Sequence, residues 1–92
     1  GRIATITPGA PAAGTDAIDL SAHTCSPGWI DLHVHLSHES SPQRYSEGFR
    51  LDPVDFAYRA VNYAERTLLA GFTTVRDLGD SGRVSMALRD AI

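Results

Sequence analysis

The residue types that could do chemistry are concentrated in one short run of the chain. Residues 27–36 read PGWIDLHVHL, and within them Asp31, His33 and His35 alternate with apolar residues. A β-strand has a side-chain period of two, so this alternation predicts that the carboxylate and both imidazoles lie on one face. The Cα atoms of the two histidines would then lie about 7 Å apart, at a rise of roughly 3.3 Å per residue.

Two imidazoles at this spacing can converge on one metal ion. Neutral imidazole is the commonest side-chain ligand of zinc and similar metals. The same pattern also occurs in pairs of surface histidines on a strand, so the spacing by itself leaves both interpretations open. The Pro27-Gly28 turn before the run favours a buried strand that delivers polar groups at its end, as in barrels and doubly wound folds.

The two remaining histidines and the single cysteine are weaker candidates. His38 follows in a polar stretch, where it is a solvated loop residue or a substrate contact, and His23 belongs to a turn before Pro27. Cys25 is expected to fill a small apolar space, because no motif of a catalytic thiol surrounds it. A single cysteine excludes an internal disulfide framework.

The composition is that of one small globular domain or of a piece of a larger one. The chain has 92 residues, a net charge of −3 and an apolar fraction of 42%. It has no basic cluster that would indicate nucleic-acid binding, and no apolar run that approaches the ~18 residues of a membrane span. We expect a small-molecule substrate, a homo-oligomer, and either the cytoplasm or the periplasm as the compartment.

The elements that must position these groups begin near the N-terminus. The composition predicts three short β pieces, at residues 2–7, 17–20 and 21–25. Residues 8–14 predict a loop rich in proline and glycine, and residues 29–36 predict the buried strand that carries the histidines. Residues 37–51 are polar and lack periodicity, so they predict a long loop, which we expect to cover a site.

The best helix pattern follows this loop. Asp52 can cap the N-terminus, Pro53 suits the first helical position, and Gly71 is the expected C-terminal glycine. The apolar residues at helical spacing are Val54, Ala57, Tyr58, Val61, Ala64, Leu68 and the neighbouring Leu69. Residues 72–76 then predict a second strand, and a second helix is expected from about Ser81.

The order of strand, helix and strand predicts a parallel pair joined by a crossover helix, which defines the α/β class. Two such strand–helix units cannot shield a parallel sheet on both faces. We therefore expect the 92 residues to be the opening segment of a larger α/β protein.

Two motifs in this arrangement resemble the amidohydrolase superfamily. Residues 27–36, led by DLSAHT at 19–24, look like the entry to the barrel of that superfamily, and AGFTTVRDLG at 70–79 looks like its second strand. The resemblance spans residues 16–92. It is closest to a branch that includes Xaa-Pro dipeptidases and imidazolonepropionase-like proteins, which residues 40–69 also resemble.

The resemblance implies a (β/α)8 barrel preceded by part of a small β-sandwich. Residues 1–26 would belong to the sandwich, and residues 27–92 would form the first strands and helices of the barrel. His33 and His35 would bind the more buried ion of a centre with two divalent metals, usually two zinc ions. A lysine, two further histidines and an aspartate from later strands would complete the centre, and this chain contains no lysine. The remainder of the same protein, or a second chain, is therefore an expected partner.

The same resemblance implies a reaction and supporting roles. The two ions would lower the pKa of a water molecule and polarise the scissile carbonyl, while a carboxylate from a later strand moves the proton. Asp31 would orient an imidazole N–H, or else form a salt bridge or a cap. Asp77 would support the site, or else pair with Arg76 or a neighbouring loop. His38 and Tyr45 would belong to a loop over the substrate.

The leading hypothesis is hydrolysis of C–N amide bonds by a metal-dependent dipeptidase that acts on Xaa-Pro or Xaa-basic dipeptides. A cyclic-amide hydrolase or a deaminase of the same superfamily is an alternative, because the two histidines determine the metal and not the substrate pocket. A non-catalytic fragment that lacks the rest of the metal site is a second alternative, and an α/β segment without metal is a third. No catalytic residue is predicted within this chain.

Overall fold

The computed structural model describes residues 2–92, which form a two-stranded sheet and three helices. The elements, in chain order, are β1 (Trp29–Val34), α1 (Arg44–Arg50), α2 (Pro53–Leu69), β2 (Phe72–Asp77) and α3 (Val84–Ala91). β1 and β2 are parallel, and α2 lies in the connection between them. This confirms the α/β class and the predicted parallel pair, while the barrel and the sandwich remain predictions. No helix within residues 2–92 is long and apolar enough to cross a membrane.

The local sequence sets both ends of α2. At its N-terminus the main-chain N–H of Asp52 donates to Asp55 Oδ2 at 2.9 Å. Pro53 occupies the first helical position, where a missing N–H loses no hydrogen bond. At the C-terminus Gly71 has a φ of 97°, a conformation that glycine adopts without side-chain strain. The main-chain N–H of Trp29 donates to Gly71 O at 2.9 Å, which places this turn beside the start of β1.

The core lies between α2 and α3. Phe56 and Ala60 of α2 and Val84 of α3 are buried. The partly buried residues around them are Leu51, Ala57 and Leu88. The buried face of α2 differs from the predicted one, because most of the apolar residues at the predicted spacing are more exposed than buried: Val54 (64%), Tyr58 (79%), Val61 (55%), Leu68 (58%) and Leu69 (80%). α2 carries apolar residues on more than one face, and within residues 2–92 its packing buries only the face with Phe56 and Ala60.

β1 is not buried by the described residues, contrary to the prediction. Trp29, Ile30 and Leu32 are 63%, 62% and 64% exposed. Parallel sheets are normally covered by helices on both faces. Within residues 2–92 the helices do not provide two such layers, so the apolar side chains of β1 have no partner layer.

The N-terminal segment differs from the prediction of three short strands. Residues 2–28 contain no strand in the structure, and their main-chain hydrogen bonds include turn bonds such as Thr15 N–H to Ala12 O at 3.1 Å. A strand is stabilised by its ladder with a neighbour, and no described segment pairs with these residues. Residue 1 of the predicted sandwich segment lies outside the described residues, and the sandwich itself stays a prediction.

The predicted loop at residues 37–51 contains a short helix, α1. The Glu47 carboxylate accepts a hydrogen bond from Arg59 Nη1 at 2.8 Å, which joins α1 to α2. The rings of Tyr45 and Phe49 pack edge-on with their centroids 5.1 Å apart. This single apolar pair among polar residues is too short a pattern to indicate a helix, and the contact with α2 is not visible from local sequence.

The β1–β2 ladder contains two irregularities of register. The first lies in β2, where Thr73 is an extra residue between the partners of Trp29 and Ile30. The second lies in β1, where two residues between Asp31 and Val34 face one residue of β2. β1 then ends at Val34, short of the predicted residue 36. The second irregularity includes His33, which is a candidate metal ligand.

The first irregularity brings Gly28 close to Thr73 and generates a stability prediction. A Cβ on Gly28 would lie 2.6 Å from the Thr73 Cβ and closer still to the two branch atoms. We expect Gly28→Ala to lower the free energy of unfolding by about 1–3 kcal/mol, the usual cost of overpacking. With Thr73→Gly added, the loss should be smaller than the sum of the two single losses. Urea unfolding followed by circular dichroism measures these changes.

Gly48→Ala is the matched control for this packing argument. A Cβ at Gly48 would meet only Arg44 Nη1, at 4.0 Å. Gly48 lies inside α1, where alanine is favoured over glycine by roughly 0.5–1 kcal/mol. An equal loss of stability for Gly28→Ala and Gly48→Ala would contradict the predicted clash with Thr73.

Asp80 joins the β2–α3 connection to the first turn of α3. Its Oδ2 accepts hydrogen bonds from the main-chain N–H and the hydroxyl of Ser85. The bond from the hydroxyl is the largest of the effects that hold the pKa of Asp80 below its ordinary value, against the opposing effect of burial. Main-chain N–H groups of Ser85 and Arg83 and the charge of Arg83 lower it further. The ionised carboxylate therefore stabilises the folded state.

We expect Asp80→Ala to lower the free energy of unfolding by about 1 kcal/mol near neutral pH, the usual cost of losing such a hydrogen bond at a helix N-terminus. Because the folded-state pKa is lowered, this stabilisation is present above the unfolded-state pKa of about 3.9 and is lost as pH falls through the folded-state pKa. The difference from wild type in urea unfolding should therefore close in acid. Asp90→Ala, with a carboxylate 65% exposed beside Arg89, is the control and should stay near wild type. A difference for Asp80→Ala that does not change with pH would contradict the role of the charge.

Candidate metal centre

The candidate site lies where the two parallel strands end. β1 ends at Val34 and is followed by His35, and β2 ends at Asp77 and is followed by an irregular segment that includes Gly79. The carboxyl ends of parallel strands lie together, and α/β proteins commonly build their sites there. The main-chain N–H of Leu78 donates to Val34 O at 3.2 Å, which continues the contact of the two segments beyond the ladder.

The structure brings the rings of His33 and His35 together. Their centroids lie 5.4 Å apart, and the ring planes are inclined by 74°. The two imidazoles are thus neighbours at the end of one strand, which is the arrangement that the alternating sequence predicts. Both residues are exposed rather than packed among apolar side chains. Whether they bind a metal stays a prediction.

Asp31 acts on the main chain of His33 rather than on an imidazole. Its Oδ1 accepts a hydrogen bond from the His33 main-chain N–H at 2.9 Å. This bond lies within the irregularity of β1, where His33 has no directly paired residue in β2. Asp31 therefore satisfies the N–H at the point where His33 leaves the regular ladder, which sets the backbone from which the His33 ring projects.

The ring of His35 is held by a main-chain carbonyl. His35 Nδ1 lies 2.8 Å from Gly79 O. A carbonyl oxygen only accepts hydrogen bonds, so we assign the proton to Nδ1. In the neutral ring this assignment leaves the lone pair of Nε2 for a ligand. A carbonyl on the second nitrogen is a usual partner of a metal-binding imidazole.

Asp77 joins the segments that follow the two strands. Its Oδ2 accepts the main-chain N–H of Leu36 at 2.9 Å, and its Oδ1 accepts the main-chain N–H of Gly79 at 2.9 Å. Its Oδ1 also lies 4.0 Å from His35 Nδ1, and the Asp77 side chain is only 11% exposed. Among the described residues its carboxylate forms no ion pair with Arg76. These bonds are the predicted contact with a neighbouring loop, and support of the metal site by Asp77 stays a prediction.

His38 lies beside the histidine pair. Its ring stacks on the His35 ring with the centroids 4.9 Å apart and the planes inclined by 22°. Its Nδ1 lies 3.2 Å from the hydroxyl of Ser37, which is fully buried. Burial is the main cause that lowers the pKa of His38, and the positive fields of Arg44 and His35 lower it further, against the carboxylate of Asp77. The structure thus brings a third imidazole to the site, in a form that favours the neutral ring.

The other sequence candidates lie elsewhere. Tyr45 is on α1, where it is 81% exposed, and its ring contacts Phe49. No ring contact among the described residues joins Tyr45 to the histidines. His23 and Cys25 are exposed in the strand-free N-terminal segment, so the expected burial of Cys25 is wrong for the described residues.

Sequence reasoning missed two parts of the site. The Gly79 carbonyl is a main-chain group, and no residue type announces it. Ser37 is fully buried although it stands in a polar run. Nothing in the sequence distinguishes it from Ser40 and Ser41 of the same run. The glycine two residues after the end of β2 was the available signal, because glycine often marks an irregular connection.

A shallow groove opens beside the histidines, between the end of β1 and α2. It encloses about 380 Å³. Its polar lining includes Tyr63 and Arg66 from α2. On the other side it includes Asp31 from β1 and the following His35 and His38. Arg66 Nη1 donates to Glu39 Oε1 at 3.1 Å, so the guanidinium of Arg66 is paired with a carboxylate.

The donor set fits one side of a metal site. Within residues 2–92 no group of three or more His, Cys, Asp or Glu side chains could hold a metal ion. A catalytic zinc site needs three protein ligands, and this chain brings the imidazoles of His33 and His35 together, with Nδ1 of His35 bonded to a carbonyl and its Nε2 left for a ligand. The described residues therefore supply a pair of potential ligands and not a complete centre.

Comparison with protein families identifies the family of this chain. The family described as the amidohydrolase family matches residues 24–92, a span that includes both strands, all three helices and the histidine pair. The chain therefore belongs to the amidohydrolase family, a family of hydrolases whose members generally bind metals. No curated protein matches the chain significantly.

Proposed function

We propose that this chain is part of a metal-dependent hydrolase of C–N amide bonds, and that His33 and His35 are metal ligands. The observation that carries the proposal is the His33–His35 pair, with centroids 5.4 Å apart, in which the Nδ1 of His35 is bonded to a carbonyl. Membership of the amidohydrolase family supports a hydrolase. The proposed cofactor is a pair of zinc ions.

The residues of this chain would bind a metal ion and orient its ligands, and they would not themselves react with the substrate. A bound divalent metal supplies Lewis acidity and lowers the pKa of a water molecule, so that hydroxide is available as the nucleophile near neutral pH. His33 and His35 would hold one ion through their imidazoles, with Asp31 fixing the backbone of His33 and the Gly79 carbonyl fixing the ring of His35. His38, stacked on His35, would exclude water from one side of that ring. The remaining ligands would come from the rest of the protein or from a second chain.

The proposed substrate class is a dipeptide of the Xaa-Pro or Xaa-basic type. The similarity of residues 40–69 to the dipeptidase branch is what supports this choice over a cyclic amide or an aminated ring. The groove beside His35 has an open, mixed polar and apolar lining that does not select among these substrates. Hydrolysis of an amide bond is therefore the proposed reaction, and a dipeptide is the proposed substrate within that reaction class.

Metal binding tests the ligand assignment. We expect His33→Gln and His35→Gln, made in the full-length protein, each to lower zinc affinity by at least about 100-fold, because each removes an inner-sphere ligand and second-sphere changes alone cost 10–100-fold. His23→Gln is the matched control, because His23 is exposed in the strand-free N-terminal segment. Isothermal titration with zinc and elemental analysis measure the change. Equal zinc content in all four proteins would eliminate the proposed centre.

A substrate panel tests the activity. Full-length protein should hydrolyse Xaa-Pro or Xaa-Arg dipeptides, lose this activity with a chelator and regain it with zinc. A cyclic amide and an aminated heterocycle are included as competing substrates. Turnover of only the cyclic amide or the heterocycle would replace the dipeptidase while retaining the family, and no metal-dependent turnover of any of them would favour the non-catalytic alternative.

A further inference from the structure

We propose that Asp77 is a positioning residue that fixes the tautomer of His35 through the carbonyl of Gly79. Its relevance to metal binding rests on the proposed function, but the arrangement of the protein groups does not. Asp77 would thereby act on one ring nitrogen of His35, in addition to joining two loops.

The hydrogen bonds of Asp77 fix both sides of the His35–Gly79 contact. One carboxylate oxygen accepts the N–H of Leu36, which belongs to the peptide group directly after His35. The other oxygen accepts the N–H of Gly79, the same residue whose carbonyl oxygen lies 2.8 Å from His35 Nδ1. Both bonds to Asp77 measure 2.9 Å. A single side chain therefore sets the backbone on the histidine side and on the carbonyl side.

The action of Asp77 on the ring is indirect. Its Oδ1 lies 4.0 Å from His35 Nδ1, which is too far for a hydrogen bond, whereas Gly79 O is within bonding distance. The Asp77 side chain is 11% exposed, so water competes little for its two oxygens. Charge-assisted bonds from a carboxylate to main-chain N–H groups are stronger than bonds between neutral groups. The carboxylate is thus well suited to hold the segment after β2 in one position.

The consequence is a defined protonation site on a neutral ring. Free neutral histidine prefers the proton on Nε2, the tautomer that has no lone pair at the outer nitrogen. The Gly79 carbonyl reverses this preference, because it can only accept a hydrogen bond from Nδ1–H. Asp77 keeps that carbonyl in place, and the lone pair of His35 Nε2 is then available to a metal before any metal arrives.

The tautomer is read directly by nitrogen NMR. Full-length protein labelled with ¹⁵N-histidine is treated with a chelator and measured near pH 8. Long-range proton–nitrogen correlations distinguish Nδ1–H from Nε2–H, and His35→Gln assigns the signals. We expect the Nδ1–H tautomer in wild type. The Nε2–H tautomer in wild type would overturn the inference without any variant.

Asp77→Asn is the decisive variant, because asparagine keeps the size of the side chain but offers one acceptor oxygen instead of two. We expect the His35 signals to move to a mixture of tautomers or to Nε2–H. Asp90→Asn, at a side chain 65% exposed beside Arg89, is the matched control and should keep the wild-type signals. Retention of pure Nδ1–H in a folded Asp77→Asn protein would overturn the inference. If circular dichroism shows Asp77→Asn to be unfolded, Asp77→Glu replaces it, with the same expected shift and the same overturning result, because the longer side chain displaces both acceptors.

Zinc titration of the same variants separates the two proposals. We expect Asp77→Asn to bind zinc about 10–100-fold more weakly than wild type, as is usual for a residue that orients a metal ligand. Absence of zinc binding in wild type would defeat the metal centre while leaving the tautomer experiment to decide the role of Asp77. Wild-type zinc binding with an unchanged tautomer in Asp77→Asn would defeat the positioning role and leave the metal centre intact.

Discussion

The parallel pairing of β1 with β2 is the interaction on which the rest of the structure depends. A parallel pair needs a long crossover, and α2 provides it between Asp52 at one end and Gly71 at the other. The same pairing places the ends of both strands side by side, so that His35 after one strand meets Gly79 after the other at 2.8 Å. The candidate site is therefore a direct result of strand direction, and an antiparallel pair would separate these two residues.

The fold could be predicted to the extent that it is written in local patterns. The caps of α2, the positive φ of Gly71 and the second strand after it follow from residue types at fixed positions. The buried face of α2 and the helix α1 could not be predicted, because both depend on distant contacts. Phe56 is buried by packing against α3, and α1 is joined to α2 through Arg59. Local sequence does not contain these partners.

The candidate site, like the fold, has parts that the sequence predicts and parts that it does not. The neighbouring positions of the His33 and His35 rings were predicted from the period of a strand, and their centroids lie 5.4 Å apart. The period alone does not explain this geometry, because His33 lies in an irregularity of register and His35 follows the end of β1. The bonds that fix the two rings could not be predicted, because they use main-chain groups. Asp31 binds an N–H of its own strand, and Asp77 was expected near the site only because its strand ends there. The approach of a main-chain carbonyl to an imidazole depends on how the segments after the two strands pack, which residue types do not specify.

The open edges and exposed apolar side chains of the two-stranded sheet have a consequence for self-association. Within residues 2–92 each strand is hydrogen-bonded on one side only, and Trp29, Ile30 and Leu32 are all largely accessible. Unpaired strand edges next to apolar side chains act as templates for other extended chains and promote aggregation. Residues 2–92 therefore present edges to which another extended strand can add, and the same edges favour aggregation while they stay uncovered.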